Sequence, residues 1–191
     1  MGISNAAKLL IAGLLGGSLG AVRAVILITA DLLGLHVPFG ALIINAITLS
    51  AIFLTGLGFF GLHMGLDSVF GYRSFQVGVL TCVCYLCYIL QKSFDGRTDY
   101  VLPAILGETL AETITIIGLL LLFSTSLFLM LCGLTLVRFG YGYSFGPELS
   151  WTGFFYILAS FGIFTPIEYI FLLVPFLLST YIFYSLAKWV D

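Results

Sequence analysis

Charge is what this chain has least of. Asp, Glu, Lys and Arg together make up 8% of its 191 residues, against 61% hydrophobic residues and a mean hydropathy of +1.18. A soluble domain keeps about a quarter of its residues charged, so these residues cannot be wrapped in a polar surface. Alternation is missing too. Runs such as IIGLLLLF and FLLVPFLLSTYIFY show no period of two, whereas the strands of a membrane barrel alternate apolar and polar. Lipid admits only helices or closed barrels, so the fold class expected is an all-α integral membrane protein. The net charge of −2 is too small to call for nucleic acid or an acidic partner.

Cysteines are few, and three of the four crowd into TCVCYLCYIL as Cys82, Cys84 and Cys87. No His or carboxylate lies between them, and free Cys behaves as a small hydrophobe. Packing is therefore the reading for them, with no disulfide framework, no metal and no cofactor expected. The amino terminus has one Lys before an apolar core, as a signal peptide would. That apolar stretch runs on past Arg23 to Leu35, too long for a cleaved segment, and reads as a first span. No Arg-rich transit peptide precedes it, so synthesis inside its own compartment or prior trimming is expected.

A span needs about 20 apolar residues. Candidates cover roughly 7–34, 39–64, 76–92, 101–137 and 151–189 by this criterion, joined by short connections. No repeat, low-complexity tract or soluble domain interrupts them. One transmembrane domain over 1–191 is expected, of five to six helices, with spanning helices in 1–100 and a long pair in 101–191. A single helix over 103–138 would extend on the order of 55 Å, well beyond a hydrocarbon core about 30 Å thick. Such a segment either bends back on itself or lies tilted. Pro166 and Pro175 could break the last stretch. The simpler reading is two long tilted helices packed as an antiparallel pair.

Charged residues at membrane depth mark an ion path or a buried partner. Arg23, Asp31, Glu108, Glu112, Arg138 and Glu168 qualify, with Glu148 in a turn. Glu108 and Glu112 are four apart and share a helix face. Two stacked carboxylates in a poor dielectric repel each other as anions, which suits a proton stop-over; the alternative is that both are solvated near the surface. Arg138 stays protonated and can hold a fixed charge, or it can snorkel at a helix end. Arg23 and Asp31, about two turns apart, read as buried or interfacial charges.

Several stretches resemble subunit a of the rotary ATP synthases. ILITADLLGLHVP, residues 26–38, is similar to the helix end where that family has Asn-Leu-Leu-Gly-Leu-x-Pro, with Asp31 for the Asn and one extra residue before Pro38. NAITLSAIFL from Asn45 falls where the family has its next helix. LTLVRFGYGYSFG resembles the segment carrying the family's essential arginine: Arg138 matches it, Gly142 stands in the Asn position and Gly146 at the Gly. STYIFYSL resembles the motif of the last helix, with Ser179 for the Gln, then Tyr181, Phe183 and Leu186. AETIT is similar to the family's glutamate site, which puts Glu112 there across an insertion.

The resemblance implies the stator half of a proton motor. Arg138 would separate two half-channels and draw each carboxylate of a c-subunit ring into its charged form. Glu148 and Glu168 would belong to one half-channel, Glu108 and Glu112 to the other, with Ser179 and Tyr181 nearby. Partners implied are the c ring, the peripheral stalk, other Fo subunits and the lipid bilayer. Any bond chemistry would belong to the soluble head. The membrane implied is the mitochondrial inner membrane, with thylakoid and bacterial plasma membranes as alternatives. Two other readings stand beside it. GGSLGAVR and PFGALIIN resemble the first helices of the Fluc fluoride channels, through Pro38, Gly40, Leu42 and Asn45, but VGVLTCVCYLCYIL has no Thr/Ser/Phe-rich break. A non-catalytic scaffold subunit would use its intramembrane charges only to pair with neighbours.

Overall fold

A computed structural model of the chain describes residues 5–34, 40–67, 76–95, 108–142, 147–165 and 167–190. These residues contain six α-helices and no strand: α1 Asn5–Leu33, α2 Gly40–Leu62, α3 Gln76–Asp95, α4 Glu108–Gly142, α5 Pro147–Gly162 and α6 Glu168–Val190. A wider π-type turn, His63–Asp67, extends α2. Four helices are long and apolar enough to cross a bilayer, over Asn5–Leu33, Ile43–Gly65, Glu112–Tyr141 and Glu168–Lys188. The chain is a multi-pass helical membrane protein.

Small residues set how the helices meet. Lipid is as apolar as Leu, so helices associate through close packing and small side chains rather than through the hydrophobic effect. On α1, Gly13, Gly16, Gly17 and Gly20 recur at helical spacing, and all are buried. A β-carbon on Gly16 would strike the α2 backbone at Thr55, and one on Gly17 would strike Thr180 of α6. The α4–α5 contact repeats the device with Gly133 against Gly153, and the Ser126 hydroxyl donates to the Ser160 carbonyl at 2.7 Å. The registers of these contacts run α1 antiparallel to α2 and to α6, and α4 antiparallel to α5. The last helix closes onto the first, so the six form a ring. Phe59 of α2 sits inside the ring, edge-on to Tyr156 of α5 and Phe183 of α6.

Hydroxyls inside the ring are mostly tied to their own helices. Thr48, Thr55, Thr81, Thr125, Thr152 and Thr180 each donate to the carbonyl four residues back. The backbone thereby satisfies groups that lipid cannot.

The carboxy-terminal half differs from its expected form. The first long stretch is one helix, 108–142, shifted a turn toward the carboxy end from the expected 103–138. The stretch 151–189 is two helices, not one tilted helix, because the chain reverses after Gly162. At that corner the Ile163 amide still bonds Ala159, the Thr165 amide and hydroxyl both turn back to Gly162, and the Glu168 amide bonds Thr165. Pro166 lies outside the described residues, and Pro175 sits within α6 without ending it. The long helix therefore pairs with the short α5.

Candidate functional site

Glu168 opens α6 directly after the corner, three residues beyond Thr165. A glutamate at that spacing after Thr commonly folds back over its own helix end. Here Thr165 bonds Gly162 instead, and the Glu168 carboxylate reaches across to α1, where Arg23 Nη2 lies 3.6 Å from Glu168 Oε1. Only 9% and 10% of the two side chains are exposed. Arg23 is turned inward by the glycine stripe one turn below it, which brings α1 and α6 together through Gly17 and Gly20. Ten residues of α1 follow Arg23, about 15 Å of helix, while Glu168 is the first residue of α6.

The pair is loosely made. Arg23 Nε has no hydrogen-bond partner among the described residues, and α3 brings the buried hydroxyl of Tyr85 beside the Glu168 carboxylate. One residue along α6, the Tyr169 hydroxyl donates to the Asp31 carboxylate on α1. Toward the other end of the bundle lies a cavity of about 40 Å3, with Thr55, Thr81, Tyr85, Leu129, Tyr156 and Pro175 in its wall. Below it Tyr156 Oη and Ser179 Oγ share a buried hydrogen bond of 2.6 Å. Three helices thus supply one buried cation, one buried carboxylate and a tyrosine hydroxyl beside it, with further hydroxyls along the ring's interior.

The other sequence-derived site residues are spread over the bundle. Glu108 and Glu112 lie in the first turns of α4; Glu112 is exposed, and the Glu108 side chain lies outside the described set. Arg138 is exposed one turn from the other end of the same helix. At 1.5 Å per residue, Glu112 and Arg138 are about 39 Å apart along α4, close to a bilayer with its headgroup layers. Glu148 is exposed in the first turn of α5. Glu148 and Glu168 open successive antiparallel helices and so stand at opposite ends of the ring. Ser179 is buried, and Tyr181 is half exposed on the outside of α6. Glu168 and Ser179 are the two of these residues that line the ring's interior.

The Arg23–Glu168 pairing was not read from the sequence, where the two are far apart. One signal was present: Arg23 follows a run of small residues at helical spacing, which marks the face of α1 that packs on other helices. Among the described residues no cluster of His, Cys, Asp or Glu could hold a metal. Comparison with family models, with characterised proteins and with solved structures returns no match for this chain.

Proposed function

We propose that this chain carries protons across a membrane through its own helix ring, with Glu168 as the exchanging carboxylate and Arg23 as the fixed charge beside it. The observation behind this reading is the buried but loose ion pair, 3.6 Å long with Arg23 Nε unpartnered. A buried pair stabilises a fold only when its geometry is good and its remaining donors are satisfied. Neither holds here, so stability gives no account of the pair, whereas intramembrane charges commonly serve ion movement. The interior favours the proton over larger ions. A cavity of about 40 Å3 has room for no more than a few waters and none for a hydrated metal ion. The Glu168 carboxylate and the Tyr85 and Tyr156 hydroxyls are the groups along this interior that can pass a proton, the cavity wall between them being mainly apolar. Asp31 and Glu112, exposed at the Glu168 end of the ring, would draw protons toward it.

The test is proton flux into liposomes holding the purified chain under an imposed potential, read by an internal pH dye. Glu168→Gln, which keeps the shape and removes the exchangeable proton, is expected to lower flux at least tenfold. Flux equal to that of the original chain would overturn the reading.

The outer face of α4 favours a second reading, the stator subunit a of a rotary ATP synthase. Arg138 is exposed in line with Leu131 and Leu134, where a c-ring carboxylate could meet it. On that reading the chain alone carries no protons, and Arg138→Gln abolishes ATP-driven pumping by the assembled complex.

A further inference from the structure

We infer that Asp31 and Tyr169 are positioning residues for Glu168, clamping the first turn of α6 onto α1 so that its carboxylate stays beside Arg23. This role rests on Glu168 being the proton-exchanging group.

The clamp ends the seam along which α1 and α6 meet. A β-carbon on Gly17 would strike the Thr180 hydroxyl, and one on Gly20 the Phe176 ring. Ala24, four residues beyond Gly20, is fully buried, and Asp31 follows seven residues later. Those spacings keep the four on one helix face. Along α6 the matching positions run the other way: Thr180, Phe176 and then, seven residues earlier, Tyr169. Tyr169 is buried and donates its hydroxyl to the exposed Asp31 carboxylate. The ring therefore fills the end of the seam. The bond is charge-assisted, roughly twice as strong as a neutral one.

Glu168 depends on that bond for its place. It is the first residue of α6, in the turn whose amides have no partner within the helix. Among the described residues the corner's own backbone bonds return to the corner, from Thr165 to Gly162, from Glu168 to Thr165 and from Ile170 to Ile167. The glycine contacts of the seam begin at Phe176, eight residues farther on, about 12 Å of helix. At 3.6 Å the Arg23–Glu168 contact is longer than a charge-assisted hydrogen bond, about 2.7–2.9 Å, and does not fix its own geometry. The bond from Tyr169 to Asp31 ties this turn to α1. Without it the turn shifts and the Glu168 carboxylate leaves the guanidinium.

The experiment couples a water-soluble carbodiimide and an amine to the carboxyls of the purified chain, at reagent levels that modify fewer than one carboxyl per molecule. Peptide mass spectrometry reads Glu168 against the exposed Glu148. Tyr169→Phe and Asp31→Ala are expected to raise modification of Glu168 at least threefold, and Asp31→Glu, which keeps the acceptor, to restore the original rate. Cys132, buried on α4, should resist maleimide in every variant. Proton flux through Tyr169→Phe should fall at least threefold. Unchanged modification in both variants, failure of Asp31→Glu to restore it, or unchanged flux where the original chain conducts would overturn the role. Cys132 that becomes reactive alongside Glu168 would overturn it too, since the whole bundle would then have loosened. Raised modification in a chain whose original form passes no protons would uphold the clamp and overturn the proton reading.

Discussion

The α-carbons of Gly13 on α1 and Gly58 on α2 lie in direct contact, and the Phe183 ring of α6 covers both. A methyl group at position 13 would meet backbone, which cannot swing aside. Gly13→Ala is therefore expected to lower stability by about 1–3 kcal/mol, the usual consequence of overpacking. Gly56→Ala is the comparison, because a β-carbon there would lie 3.1 Å from the Cys82 side chain and no closer to anything else, and it is expected to lose less than about 1 kcal/mol. Thermal unfolding in one detergent measures both. Equal losses would mean that α1 and α2 can separate without consequence.

Removing one partner of the Arg23–Glu168 pair strands the other charge. Arg23→Met alone is expected to lower stability by about 3–5 kcal/mol, as is typical when a buried pair is broken. The double variant Arg23→Met/Glu168→Leu should recover most of that loss, since two apolar side chains of similar volume often replace such a pair at no cost. Proton flux should stay absent in the double variant. A stable double variant that still conducts protons would reduce the pair to packing.

The Tyr156–Ser179 hydrogen bond is short and buried. Tyr156→Phe is expected to lower stability by about 0.5–1.5 kcal/mol, because Ser179 loses its partner. In Ser179→Ala/Tyr156→Phe the two losses should not add. Chemical unfolding of the four combinations checks this, and full additivity would contradict the contact.

Folding leaves an excess of basic residues at one end. Lys8, Arg138 and Lys188 fall with Glu148 at the end where α1 and α5 begin, whereas Asp31 and Glu112 fall at the other. Basic residues stay on the side from which a membrane protein is inserted, so the Lys8 end is expected to face the cytoplasm or its organellar equivalent. With the native cysteines replaced, an impermeant maleimide should label Asp31→Cys in intact membranes and Lys188→Cys only after permeabilisation. The opposite pattern would invert the orientation.

Scarcity of charge and the lack of alternation were enough to read helices in lipid, and most helix positions follow from the lengths of the apolar runs. The break after Gly162 was harder. Gly162, Thr165, Pro166 and Glu168 mark it in the sequence, but Pro175, the more central proline of that run, offered a second break and is absorbed inside α6. Arg138 drew attention because it follows a long apolar run. It stands exposed one turn before the end of α4. Arg23 and Glu168 meet only because the ring closes α6 against α1, and no local pattern encodes that closure. The glycine spacing on α1 was the legible trace of it.

The central claim is that Glu168, buried against Arg23, takes up and releases a proton. Infrared difference spectroscopy of the reconstituted chain, stepped between alkaline and acid buffer, tests it most directly. The account predicts a carboxylic C=O stretch on acidification that disappears in Glu168→Gln and survives in Glu112→Gln and Glu148→Gln. A spectrum that Glu168→Gln leaves unchanged would contradict it.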